Sequence, residues 1–435
     1  MHKFKKHNKD NGIRPKMGKN KKYSGYKPYQ YLEPDVDYKA FKLCKAEERF
    51  PVYWVPLTKT EEEKTNELLE KCITISMHEH PVLLPENVER DYIGYESEGR
   101  EFIAYDGLSH ACLDAVFDDM MDGTAYITSK EGWKWDDVIY DLGFRLSDIA
   151  HQDFVVKCEK IDDILNAHKN GKVALIPSVE GAACIENETD RIDILYGLGV
   201  RKLGITYSEC NALGSGGSFW PKDGGLTDFG YDCVKRMNKI GMAIDISHCG
   251  YQTTLDAIEA SSKPVTDSHS GAAALYGGRH GRGKPDEVLL ALAKKGGVIG
   301  ISAAPNSTWT VNHPEHTIDS YMEHMEYCIK LMGIDHVGVG PDSIYGDHVA
   351  LGKVWHNQKG RVSLRTRAHS QERTSGSQKG GVGPKQIEYV KGAENPSECL
   401  VNVARWLVKH GYSDKDIEKV IGGNALRFLR SSWCR

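Results

Sequence analysis

Four histidines and two carboxylates carry the chemistry open to this sequence: His78, His80, His248, His269, Glu180 and Asp342. His78 and His80 flank a single residue in CITISMHEH, so two imidazoles at i and i+2 of an extended chain point the same way and can address one ion. His248 and His269 each follow a serine at the end of a short apolar run, while Glu180 closes KVALIPSV and Asp342 closes HVGVGP. A lone histidine after a strand is usually a hydrogen-bonded residue and nothing more. Five strand ends that each deliver His, Glu or Asp are a donor set for Zn2+, Mn2+, Co2+ or Fe2+. Six donors exceed what one tetrahedral zinc takes, and a carboxylate shared by two ions would use them all.

To converge, those residues need a scaffold that brings distant strand ends together. Short β-prone runs recur at Cys72–Met77, Thr124–Thr128, Val173–Val179, Lys202–Thr206, Met242–Ile246, Pro264–Thr266, Val298–Ser302 and Val337–Gly340. Helical patterns fill most intervals, as in Thr253–Ser262 and SYMEHMEYCIKLMG. Eight strands separated by helices predict a (β/α)8 TIM-type barrel, an α/β fold whose chemistry sits at the C-terminal strand ends. The histidines would then lie where strands hand over to loops. Residues 1–30 are Lys-rich and predict a flexible or subunit-wrapping arm, with Tyr23, Tyr26, Tyr29 and Tyr31 as anchors. Residues 31–71 read as a lead-in ending in a helix, and 72–435 as the barrel. The polar, locally basic stretch 343–390 is too long for an ordinary connection and reads as a functional loop, lid or oligomer contact.

Composition narrows the class. The chain has 435 residues, 40% of them hydrophobic, enough for a large core. A net charge of −5 gives no general affinity for nucleic acid or anionic membranes. No run approaches the length of a membrane span, and MHKFKKHNKDNG has no apolar leader core. Eleven cysteines, scattered singly, fit a reducing compartment, so a cytoplasmic enzyme and a homo-oligomer are the expectations.

Several segments resemble the membrane dipeptidase (renal dipeptidase) family of metallopeptidases, on the amidohydrolase-type barrel. They are GGLTDFGYDCVKRMNKIGMAIDISH (Gly224–His248), SHSGA (Ser268–Ala272), RGKPDEVL (Arg282–Leu289) and NPSECL with IGGNALRFL near the end. The resemblance implies two divalent ions, Zn2+ being the expected one. Glu180 would bridge them, with His78 and His80 on the first ion, His248 and His269 on the second, and Asp342 touching the first and shuttling the proton. Arg282 would hold the free carboxylate of a dipeptide, a task suited to a planar guanidinium. Two positions depart from the family: His80 stands where an aspartate is usual, and Tyr207 where a substrate-facing histidine is usual. An imidazole for a carboxylate adds about one positive charge to the site. A phenol can donate a hydrogen bond but carries no positive charge.

The implied activity is hydrolysis of an amide bond in a dipeptide or similar small substrate by an activated water. The alternatives are a lactone, cyclic amide or N-acyl substrate on the same metals, and a catalytically silent binding barrel. Bland readings cover the rest. Asp106-Gly107-Leu108-Ser109-His110 is expected as a turn, and His313, His316, His324, His356 and His369 as solvated. Arg279 and His280 could share carboxylate binding with Arg282, and GGLTDFG lacks the spacing of a phosphate loop.

Overall fold

The computed structural model describes residues 21–120, 134–219, 223–277, 283–305, 307–354 and 387–433. Eight parallel strands close on themselves: β1 (Ile75–Leu83), β2 (Ala115–Met120), β3 (Val173–Val179), β4 (Lys202–Gly204), β5 (Ala243–Asp245), β6 (Thr266–Ala272), β7 (Val298–Ile301) and β8 (Val337–Val339). Each pairs with the next, and Ser76 of β1 faces Val339 of β8, which completes the ring. With the flanking helices this is the expected (β/α)8 barrel.

Two strand expectations change. AVFDDM (Ala115–Met120) forms β2, and the run Thr124–Thr128 lies outside the described residues. β1 and β6 also run past their expected ends, so His78, His80 and His269 lie within strands and not after them. Only His248 sits in a turn beyond its strand.

Inside the barrel, side chains stack in layers. Ile75, Ala115, Ala174, Ala243 and Val298, at or near the strand starts, pack with Phe428, Leu429 and Trp433 of the C-terminal helix and its end, which plug the lower mouth. The interior then turns polar. Lys202 of β4 is fully buried between the carboxylates of Asp119 and Asp245. The histidines lie above it. This gradient from apolar base to polar rim is what a barrel with chemistry at one end requires.

Tyr26 and Tyr29 of the N-terminal segment pack on this chain's own barrel. Tyr26 and Tyr105 hydroxyls donate to Asp148 at 2.8 and 2.9 Å, and the Tyr29 backbone N–H donates to the same carboxylate at 2.8 Å. Lys21 reaches Asp114 at the barrel base at 3.1 Å. Residues 1–20 of the expected arm lie outside the described residues. The stretch 343–390 is not structureless where it is described: Ser343–Tyr345 adds a short parallel strand to the extended end of β1, and residues 348–354 are helical. Asp106–His110 belongs to a short helix, Tyr105–His110, in place of the expected turn. Among the described residues no helix is long and apolar enough to cross a membrane, and no cysteine is bridged.

Candidate metal centre

A β-bulge aims the first pair of histidines. Ser76 pairs with Val116 but Glu79 with Asp118, so β1 carries one residue more than β2 over this interval. The extra residue brings His78 and His80 to the same aspartate of β2: His78 Nδ1 lies 3.0 Å from the Asp119 carboxylate and His80 Nδ1 2.6 Å from the Asp119 carbonyl oxygen. Bulges beside a site commonly re-aim side chains in this way. Asp342 follows β8 with φ of 59°, a left-handed conformation that aspartate tolerates better than most residues. Its backbone N–H donates to the His78 carbonyl at 3.1 Å, and its Oδ1 lies 3.2 Å from His80 Nε2.

The second pair comes from the other side of the barrel. His248 and His269 bring their Nε2 atoms within 3.0 Å of each other. Glu180 projects from the end of β3, where Gly204 of β4 lets the backbones close up: a Cβ on Gly204 would stand 2.0 Å from the Glu180 carbonyl oxygen. One Glu180 oxygen, Oε1, then lies 2.8 Å from His248 Nε2, 3.5 Å from His269 Nε2 and 3.7 Å from His78 Nε2. A single carboxylate thus faces both imidazole pairs.

The donor set fits divalent cations. A carbonyl oxygen only accepts, so His80 Nδ1 carries the hydrogen and Nε2 is the atom turned to the centre. His78 and His80 hold their Nε2 atoms 3.2 Å apart, a spacing at which two lone pairs need a proton or a cation between them. The trios His78–His80–Asp342 and Glu180–His248–His269 each place three ligand atoms within 4.8 Å of one another, and every member is buried. Imidazole and carboxylate at such spacing suit zinc and its neighbours in the first transition row. In the metal-free site, burial opposes charge on both rings of β1. Asp119 and Asp342 outweigh it at His78, which is pushed up to about 10, while His80 is pushed down.

Tyr207 also joins the site: its ring stacks on His248 with centroids 4.1 Å apart. Arg282, Arg279 and His280 lie outside the described residues, as do His356 and His369. The solvated reading fails for His316 and His324, both buried. His324 Nδ1 accepts from the Ala272 N–H at 3.1 Å and Nε2 faces the Trp309 carbonyl at 3.2 Å, and burial pushes the ring down to about 4. These contacts are structural. Sequence reasoning missed Asp119, Lys202, Asp245 and Ser268, which underlie the imidazoles; an Asp-Asp doublet in an apolar run was the one visible sign.

Comparison with known proteins agrees with this geometry. Residues 144–356 match the family described as membrane dipeptidase (peptidase family M19). The resemblance to that family read from the sequence is thus supported over this stretch. It is 30% identical over 293 residues to the dipeptidase tcpJ of Claviceps purpurea, covering 67% of this chain and 58% of that one. It is 33% identical over 270 residues to the dipeptidase verJ of Clonostachys rogersoniana, covering 62% and 58%. The chain therefore spans a little under three fifths of the length of these dipeptidase relatives. Among solved structures, an amidohydrolase from Pseudomonas aeruginosa superposes with a TM-score of 0.63 at 23% identity, over 85% of this chain and 99% of that one, which establishes the shared fold.

Proposed function

We propose that this chain is a binuclear M19-type metallohydrolase that cleaves the amide bond of a dipeptide or a similar small substrate with a free carboxylate. The observation that carries the proposal is Glu180 Oε1, within 3.7 Å of His78 on one side and 2.8 Å of His248 on the other. His78, His80 and Asp342 would hold one ion, His248 and His269 the other, and Glu180 both. Zinc is the ion this nitrogen-rich set favours. When bound, two such ions supply Lewis acidity at a carbonyl and lower the pKa of a water from 15.7 toward about 7.

The chain's own residues do the rest. Asp342, 96% buried and held by the His78 carbonyl, is placed to take the proton of the attacking water and pass it to the leaving amine. Tyr207 forms the wall beside His248, from which its hydroxyl can donate to the substrate carbonyl. Arg282 would fix the substrate carboxylate, turning binding into alignment. The relatives named as dipeptidases support the peptide reading.

The test is metal content by elemental analysis on protein purified without chelator, with dipeptide hydrolysis measured before and after metal removal. About two ions per chain and hydrolysis abolished by chelator and restored by zinc are expected. Two ions without peptide cleavage would shift the substrate to a lactone, cyclic amide or N-acyl compound, a reading favoured by the unusual His80 and Tyr207. A protein that takes up no ion would sink both.

A further inference from the structure

Below the imidazoles lies a hydroxyl that touches both halves of the centre. Ser268, buried in β6, places Oγ 3.1 Å from His78 Nδ1, 3.0 Å from His269 Nδ1 and 2.5 Å from Asp245 Oδ2. His78, Asp245 and His269 stand close enough to enclose an ion themselves, but the Ser268 hydroxyl already bonds all three.

Counting protons assigns each bond a direction. A serine hydroxyl donates once and can accept twice. Asp245 takes Lys202 Nζ at 2.9 Å on Oδ2, and Ser247 Oγ at 2.6 Å with the Ser268 N–H at 3.0 Å on Oδ1. A carboxylate so placed is ionised and can only accept, so the Ser268 proton goes to Asp245. Ser247 Oγ also lies 3.1 Å from Ser268 Oγ, but its proton goes to Asp245 Oδ1, so the two remaining Ser268 lone pairs are met by two Nδ1 atoms, and each of those nitrogens must carry a hydrogen. A neutral imidazole has one N–H, so His269 with its hydrogen on Nδ1 turns an accepting Nε2 to the centre, and His78 does the same once a cation displaces the proton it carries there.

We infer that Ser268, oriented by Asp245 and through it by Lys202, is a positioning residue that keeps a hydrogen on Nδ1 of both His78 and His269, one ring in each half of the centre, and so sets His269 in the Nδ1–H tautomer. Its consequence for ion binding rests on the metallohydrolase reading; the tautomer does not, because it belongs to the metal-free protein. At His78 the Asp119 carboxylate reinforces the same assignment.

Long-range proton–nitrogen NMR on the metal-free protein reads the tautomer directly. His269 is expected as Nδ1–H in the wild type and as a mixture richer in Nε2–H in Ser268→Ala. Zn2+ affinity, measured in competition with a chelator, should fall about 10–100-fold in Ser268→Ala and recover in Ser268→Thr, which keeps the hydroxyl on a residue suited to a strand. An Nε2–H tautomer at His269 in the wild type overturns the inference, and so does a folded Ser268→Ala protein with unchanged affinity. Should Ser268→Ala fail to fold, the wild-type spectrum alone decides. A wild type with the expected tautomer that takes up no ion would overturn the metal reading while the tautomer assignment stands.

Discussion

Two neighbouring aspartates on β2 serve two different buried clusters. Asp119 faces the barrel interior, beside Lys202 and His78. Asp118 faces outward, where the fully buried Arg145 binds it at 2.6 Å, binds Asp141 at 2.8 Å and also pairs with Glu101. The outer cluster contains its own cation, a fixed guanidinium fork that suits several carboxylates at once. The upper interior instead collects imidazole lone pairs and two carboxylates around a space with no protein cation of that kind among the described residues. A buried acid cluster that closes on an arginine is architecture, whereas one that converges lone pairs is built for an ion. Glu394 shows a third solution: burial pushes it up to about 7, so a proton neutralises it below that pH.

The contrast can be broken most sharply at Asp342. In Asp342→Asn, turnover should fall about 10²–10⁴-fold, the scale of a lost general acid–base group, while elemental analysis still finds most of the metal. Wild-type rates would remove Asp342 from the chemistry. Arg145→Met should do the reverse: denaturant unfolding should show a loss of about 3–5 kcal/mol, the cost of stranding buried carboxylates, with ion content of the folded protein unchanged. Loss of metal from folded Arg145→Met would show that the two clusters are one system.

A smaller effect is expected from the ion itself. Zn2+ at about a hundred times its dissociation constant should add about 2.7 kcal/mol to stability, by the same increment in wild type and in Arg145→Met. The smallest effect concerns Glu394. Its folded pKa of about 7 exceeds the ordinary 4.5, so between those values the native state binds more protons than the unfolded one. Stability from this group must fall as pH rises through that window and level off above it. Glu394→Gln should flatten the slope of melting temperature against pH from 4.5 to 7; an unchanged slope would place the titration elsewhere.

Much of the centre was legible because its residues carry their signal locally. His78-Glu79-His80 needs only strand alternation to suggest convergence, and the serine-histidine pairs sit beside apolar runs. The supporting layer was not legible, since its meaning lies in contacts between distant positions. Asp118 and Asp119 lie in a strand for which Thr124–Thr128 was expected instead. Each is satisfied by a partner far along the chain, Arg145 on one face and Lys202 on the other. β6 ran past its expected end for a similar reason, because Ser268 and Ser270 bury their hydroxyls against Asp245 and Asp267. His324 looked solvated within a polar helix, yet the Ala272 N–H claims its ring.

Closure of the ring by β1 and β8 also has a temporal side. Asp342 lies 262 residues beyond His80, so one half of the centre joins nearly opposite ends of the barrel's chain. Glu180, His248 and His269 are all translated earlier. On the proposed two-ion reading, the ribosome therefore releases all the donors of one ion well before the set for the other is complete. Docking of the final strand, a contact of very long sequence separation and hence slow to form, is the event that joins the two.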